Sequence, residues 1–210
     1  MIELKNINKA YKHIELFQDL NYVFENGQIY LIKGPNGCGK SVLLKMMCGF
    51  SLPDKGEIFC DGKQLHKETD FLPNCGVSIN NDEFIPYLSG YENLKMLLDI
   101  NKKVDKSEIS RYAEKLMLAD SINKKYKKYS QGMKQKMRII QAMIENPAIL
   151  ILDEPTNALD QKSLIILRDM LLDYMKDKEH ILILTSHSDD MISSLATSVL
   201  EIENLQLVKK

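Results

Sequence analysis

The sequence predicts an α/β domain: a mostly parallel central sheet flanked by helices, an antiparallel β region at the N-terminus, and an inserted helical subdomain. Three observations carry this reading. The continuous apolar runs Ala148-Ile149-Leu150-Ile151-Leu152 and Ile181-Leu182-Ile183-Leu184 have the length and composition of strands buried on both faces, and a helix-like segment follows each. A glycine-rich stretch sits between a third short apolar run and a helix. Between residues 91 and 144 the apolar spacing changes to a helical one.

Residues 1–33 read as short strands: Ile2-Glu3-Leu4 alternates, Tyr22-Val23-Phe24 ends at Glu25-Asn26-Gly27, and a run from Gln28 leads to Lys33. Tyr11 lies in a polar stretch, where an aromatic ring is either a packing residue or a surface on which a purine stacks. Gly34-Pro35-Asn36-Gly37-Cys38-Gly39-Lys40-Ser41 then follows Ile29-Tyr30-Leu31-Ile32 and precedes a helix over 42–48. Strand, glycine loop and helix in that order make a phosphate-binding P-loop, so the fold is that of a P-loop NTPase. The glycines let successive backbone N–H groups curl around phosphate oxygens. Lys40 reaches the β- and γ-phosphates, Ser41 offers its hydroxyl to Mg²⁺, and the helix N-terminus adds a favourable dipole.

Beyond the break at Ser51-Leu52-Pro53-Asp54-Lys55-Gly56, Glu57-Ile58-Phe59-Cys60 reads as a strand entering a turn at Asp61-Gly62. Residues 63–75 look irregular, and Cys75-Gly76-Val77-Ser78-Ile79 is a further strand ending at Asn80-Asn81-Asp82. Helical spacing follows in Leu94, Leu97 and Leu98, then Ile109, Tyr112, Ala113, Leu116 and Met117, then Met133, Met137, Ile140 and Ile144. The block also holds the run Lys124-Lys125-Tyr126-Lys127-Lys128, by default a solvated face, with a lipid- or partner-facing patch as the alternative. After Pro147 the strands return, with helices expected over 161–175 and 189–195 and strands over 198–202 and 205–208. The chain reads as one domain, 1–210, in which 1–79 and 147–210 form the nucleotide-binding core and about 80–146 the helical subdomain.

Composition narrows the class. With 28 basic and 29 acidic residues there is no global field for nucleic acid, and no apolar run approaches membrane-spanning length. A cytoplasmic chain is expected, touching a membrane through a partner. Cys38, Cys48, Cys60 and Cys75 form no Cys-x-x-Cys pair, against both a zinc site and a redox motif. In the P-loop, Cys38 lies where backbone N–H groups and Lys40 favour its thiolate.

Asp153 and Glu154 stand at the carboxyl end of a buried strand, a costly place for two carboxylates unless a cation or a reaction uses them. Ligands of open parallel sheets bind at that edge. Asp153 is therefore the choice to hold Mg²⁺ through water, and Glu154 to accept a proton from the water attacking the γ-phosphate. His187 ends the next buried run, where it contacts the γ-phosphate or orients that water.

Taken together, these residues resemble the nucleotide-binding subunit of an ABC transporter over essentially the full chain. The resemblance implies that Gly34 to Ser41 is Walker A, that Ile149 to Glu154 is Walker B, that Ala158-Leu159-Asp160 is the D-loop, and that His187 is the switch histidine. It also implies that Tyr11 stacks on adenine. The family signature Leu-Ser-Gly-Gly-Gln corresponds to Tyr129-Ser130-Gln131-Gly132-Met133, which keeps the serine and one glycine in place. Ser130 can cap a helix beginning near Gly132, whose N-terminus faces an anion. In the family that anion is the γ-phosphate held by a second protomer, implying a head-to-tail dimer with ATP between the subunits. Asn80 stands where the family has the Q-loop glutamine that senses Mg²⁺, one methylene shorter. The variant signature, followed by Lys134-Gln135-Lys136, is similar to those of bacterial exporters of the antibiotic-peptide, bacitracin and bacteriocin immunity type. The implied function is an ATP-hydrolysing subunit that drives a separate membrane subunit. The alternative is a soluble scaffold ATPase of the same fold.

Overall fold

The computed structural model describes residues 1–11, 13–79, 84–102, 104–187 and 191–210, with the side chain of Asn101 also set aside. Its centre is a six-stranded sheet of order β10-β9-β3-β8-β7-β6. Here β3 is Ile29–Lys33, β6 Cys75–Ser78, β7 Ile149–Asp153, β8 Ile181–Ser186, β9 Ser198–Glu203 and β10 Gln206–Lys209. The pairs β6/β7, β7/β8, β8/β3 and β3/β9 are parallel, and β10 returns antiparallel to β9.

The continuous apolar runs feed two cores at once. Leu31, Leu150, Leu152, Leu182 and Leu184 pack with the helices on one face, whereas Tyr30, Ile32, Ile149, Ile151, Ile181 and Ile183 pack into a second cluster on the other. Alternate side chains of a strand point to opposite faces, so a strand covered on both faces must be apolar throughout.

The second cluster lies under α1 (Lys40–Cys48) and a four-stranded antiparallel sheet of order β2-β1-β4-β5, with β1 at Ile2–Tyr11, β2 at Ile14–Phe24, β4 at Lys55–Cys60 and β5 at Lys63–Gln64. Here the expectation of short N-terminal strands is corrected: β1 and β2 run for 10 and 11 residues. Register shifts between Leu4 and Ile7, Ile7 and Lys9, and Lys9 and Ala10 break the period-two pattern, so one bulged strand reads in sequence as fragments. Residues 63–75 are likewise not wholly irregular, because β5 pairs with β4 at Phe59 and Cys60.

On the opposite face lie α2 (Gly90–Asn101), α3 (Ser107–Lys115), α4 (Gln131–Met143) and α5 (Gln161–Tyr174). Helix α2 starts with a capping box: the Glu92 N–H donates to Ser89 Oγ at 3.1 Å while Ser89 N–H donates to the Glu92 carboxylate at 2.7 Å. Leu94 and Leu98 of α2 share one core with Leu150 and Leu152 of β7, so the helical block rests directly on the sheet. The helix expected over 189–195 falls partly outside the described residues. Its described remainder is a single 3₁₀ turn, Ser193–Leu195, closed by Leu195 N–H donating to Ile192 O at 3.0 Å. No helix among the described residues is long and apolar enough to cross a membrane.

Candidate functional site

The glycine loop joins β3 to α1 at the carboxyl edge of the parallel sheet, and Gly34, Gly37 and Gly39 all adopt positive φ (150°, 84° and 109°). Gly39 is the N-cap of α1, and no side chain caps that helix. The first N–H groups of α1 thus point at the loop interior, ready for an anion. Lys40 is only 6% exposed, and its ammonium donates to Gly34 O at 2.7 Å and Pro35 O at 3.2 Å, lying across the loop. Cys38 N–H donates to Pro35 O at 3.3 Å, and its sulfur rests against Gly34. The depression above is lined by Leu16, Asn36, Gly37, Gly39, Lys40, Ser41, Val42 and Glu154. Leu16 comes from β2, two residues from Ile14, which pairs with Tyr11. Tyr11 is 52% exposed, with Lys9 Nζ 5.3 Å from its ring centre.

Strand β7 delivers Asp153 beside this loop. Ser41 Oγ donates to Asp153 Oδ2 at 2.6 Å, and Thr185, paired with Asp153 across β7 and β8, donates its hydroxyl to Oδ1. The Thr185 oxygen in turn accepts from the Glu154 N–H at 2.9 Å. A wholly buried threonine therefore holds both acids. Glu154 has φ +49°, a left-handed conformation that costs a non-glycine residue about 1–3 kcal/mol and persists only where surrounding contacts over-determine it. Those contacts are present: Asn157 Nδ2 donates to Glu154 Oε2 at 2.7 Å, and His187 Nδ1 lies 3.3 Å from Oε1. The oxygens of Ser41 and Asp153 are the hard donors that suit Mg²⁺. Asn80 lies outside the described residues.

The other expected site residues gather at a neighbouring corner. Ser130 caps α4, its Oγ accepting from Met133 N–H at 3.3 Å, and the Met133 side chain packs on the core. A Cβ on Gly132 would stand 2.7 Å from Ala158 O, so a side chain there collides with the loop after β7. Asp160 caps α5 by accepting from Ser163 N–H at 2.8 Å, a bond that holds its carboxyl below the usual range. Gln135 is buried on α4, where its Nε2 donates to Pro155 O at 3.2 Å and its Oε1 accepts from Arg138 at 3.0 Å. The structure thus brings together the glycine loop, Asp153, Glu154 and His187. Gly132 sits against Ala158 of the 155–160 loop, which ends at Asp160, and Ser130, Gly132 and Met133 do not line the depression over the P-loop.

Sequence reasoning missed Thr185, Asn157 and Gln135. Thr185 carried a signal, a hydroxyl ending an apolar run two residues before His187, and Gln135 carried another, an amide at a buried helical position. Asn157 had none beyond its place in a loop.

The family model "ABC transporter" matches residues 17–157. The uncharacterized ABC transporter ATP-binding protein YybJ of Bacillus subtilis is 38% identical over 193 residues, 92% of this chain and 88% of YybJ. YhcH of the same organism, likewise an uncharacterized ABC transporter ATP-binding protein, is 34% identical over 89% of this chain and 62% of its own length. The spermidine/putrescine import ATP-binding protein PotA of Fusobacterium nucleatum is 33% identical over 82% and 47% respectively. The chain therefore spans less than two thirds of the length of YhcH and PotA. Among solved structures, a dimeric post-hydrolysis state of the ATP-binding cassette MJ0796 bound to ADP and Pi superposes with a TM-score of 0.88, covering 100% of this chain and 98% of that one at 22% identity, a likeness of fold. With a nucleotide-binding edge built on this fold and relatives of this kind, the chain belongs to the ABC transporter family and is an ATP-binding, ATP-hydrolysing subunit of that family.

Proposed function

We propose that the chain powers a separate integral-membrane subunit by closing head to tail on a second ATPase protomer, a homodimer in the simplest form, and reopening after hydrolysis. The observation that carries this reading is the double grip on Glu154, with Asn157 on one carboxylate oxygen and His187 beside the other. That grip holds Glu154, a residue of the depression's wall, in one conformation. In this reading Gly34, Pro35, Asn36, Gly37, Cys38 and Gly39 cradle the phosphates, and Lys40 leaves the loop carbonyls to meet the β- and γ-oxygens. Ser41 and Asp153 would hold Mg²⁺, and Asn80 is the further candidate ligand that the family resemblance names. When bound, that ion neutralises charge on the phosphate oxygens. Glu154 takes the proton of the attacking water, His187 orients that water, and Tyr11 stacks on adenine. Ser130, Gly132, Met133 and Asp160 serve the partner's nucleotide.

Export is proposed as the direction of transport, supported by the variant signature Tyr129-Ser130-Gln131-Gly132-Met133 and its lysine-rich continuation. The site of action is the inner face of the cell membrane, reached through the partner, with no role for nucleic acid. Glu154→Gln is expected to slow Mg-ATP hydrolysis by about 10²- to 10⁴-fold and to trap an ATP-bound dimer visible by light scattering. A monomer at saturating Mg-ATP would remove the trans role of Ser130.

A further inference from the structure

The lysine run is absorbed by none of this chemistry, and its geometry is specific. Tyr126 is 3% exposed and pins the run, which forms a 3₁₀ turn at Tyr126–Lys128. Tyr126 N–H donates to Leu88 O at 2.8 Å and Lys127 N–H to Pro86 O at 3.0 Å, while Lys125 forms a bridge with Ser89. Residues 84–89 and 124–128 are thereby one rigid surface, with Phe84 edge-on to Tyr126 at 5.2 Å. With Tyr126 turned inward, Lys124, Lys125, Lys127 and Lys128 are all exposed. Beside them Tyr87 is 70% exposed, with Lys127 Nζ 5.7 Å from its ring centre, and Ile85 is 40% exposed. Glu92, near Lys125, is committed to its capping box, where Ser89 holds its carboxyl below the usual range.

We propose that this surface, Lys124, Lys125, Lys127 and Lys128 with Tyr87 and Ile85, binds anionic phospholipid headgroups. Clustered lysines beside an exposed tyrosine and isoleucine match a charged leaflet, where ammonium groups meet phosphates and the amphipathic ring sits at headgroup level. A cytoplasmic protein loop is the weaker match, because such loops of membrane proteins are themselves rich in lysine and arginine and would repel the patch. The proposal goes beyond the transport reading and does not depend on it, since the isolated chain can be tested without any membrane subunit.

The experiment is co-sedimentation of the full chain with phosphatidylcholine vesicles and with phosphatidylcholine/phosphatidylglycerol vesicles. Binding is expected to the anionic vesicles alone and to fade as salt rises to about 0.5 M. Each lysine near an anionic surface is worth about fivefold in partitioning, so Lys124→Glu/Lys125→Glu/Lys127→Glu/Lys128→Glu should lower binding by at least about 100-fold while ATP binding persists. If that variant does not fold, Lys127→Gln/Lys128→Gln should still cost about 25-fold. Reversal of Lys162, Lys176, Lys178 and Lys209, exposed elsewhere, is the control and should change binding little. Tyr87→Ser should weaken binding at unchanged charge. Equal loss in the control, no preference for anionic vesicles, or capture of polyglutamate in place of vesicles would each overturn the assignment, the last in favour of an acidic protein segment.

Discussion

Helices α1 and α4 both begin near the nucleotide edge, and their N-termini are built in opposite ways. Gly39 starts α1 in a left-handed conformation with no side-chain cap, and Lys40 behind it is buried and folded over the loop. Ser130 starts α4 in an extended conformation, is exposed, and spends its hydroxyl on its own helix through Met133 N–H. An uncapped N-terminus wrapped by its own loop is a complete anion site within one chain. A capped and exposed one needs an outside surface to bring it an anion. The contrast supports assigning α1 to the chain's own phosphates and α4 to those of a partner.

The strongest way to break this contrast is Lys40→Ala, expected to lower ATP turnover by at least about 100-fold through loss of charge against the phosphates. Unchanged steady-state turnover would sink the assignment of α1. Next is Thr185→Val, which keeps the shape but removes the hydroxyl shared by Asp153 and Glu154. Turnover should fall by about tenfold with the KM for ATP little changed, and Thr185→Ser should restore it. If valine and serine variants behaved alike, the hydroxyl would be structural only. Gly132→Val sharpens the other side of the comparison. Its Cβ meets Ala158 O at 2.7 Å, so urea unfolding should show a loss of about 1–3 kcal/mol as the 155–160 loop shifts. The smallest effect on stability is expected from Ser130→Ala, about 1 kcal/mol as for an ordinary N-cap. A turnover defect well beyond that loss is the expected mark of a trans contact, and turnover falling only in step with stability would reduce Ser130 to a cap.

Much of this site was legible because its signals are local. The glycine spacing of the P-loop, the two carboxylates ending a buried run and the histidine ending the next one are each carried by a few adjacent residues, and strand ends of a parallel sheet meet at one edge. Ser130 as a cap was readable for the same reason. The long hairpin of β1 and β2 was not, because bulges erase the alternation that marks a strand. Nor was Thr185, whose value lies in the pairing of β8 with β7 rather than in its neighbours along the chain.

By itself the sequence determined the fold class and picked out the residues read as the phosphate loop, the two acids and the histidine, since backbone conformation and apolar periodicity are properties of short segments. Only the tertiary structure decided which oxygen each donor reaches: Ser41 and Thr185 on Asp153, Asn157 on Glu154 with His187 beside it, and Ala158 against Gly132. Those contacts join residues far apart in the chain. They exist because strand register and helix packing bring them within hydrogen-bonding distance, a condition that no local pattern encodes.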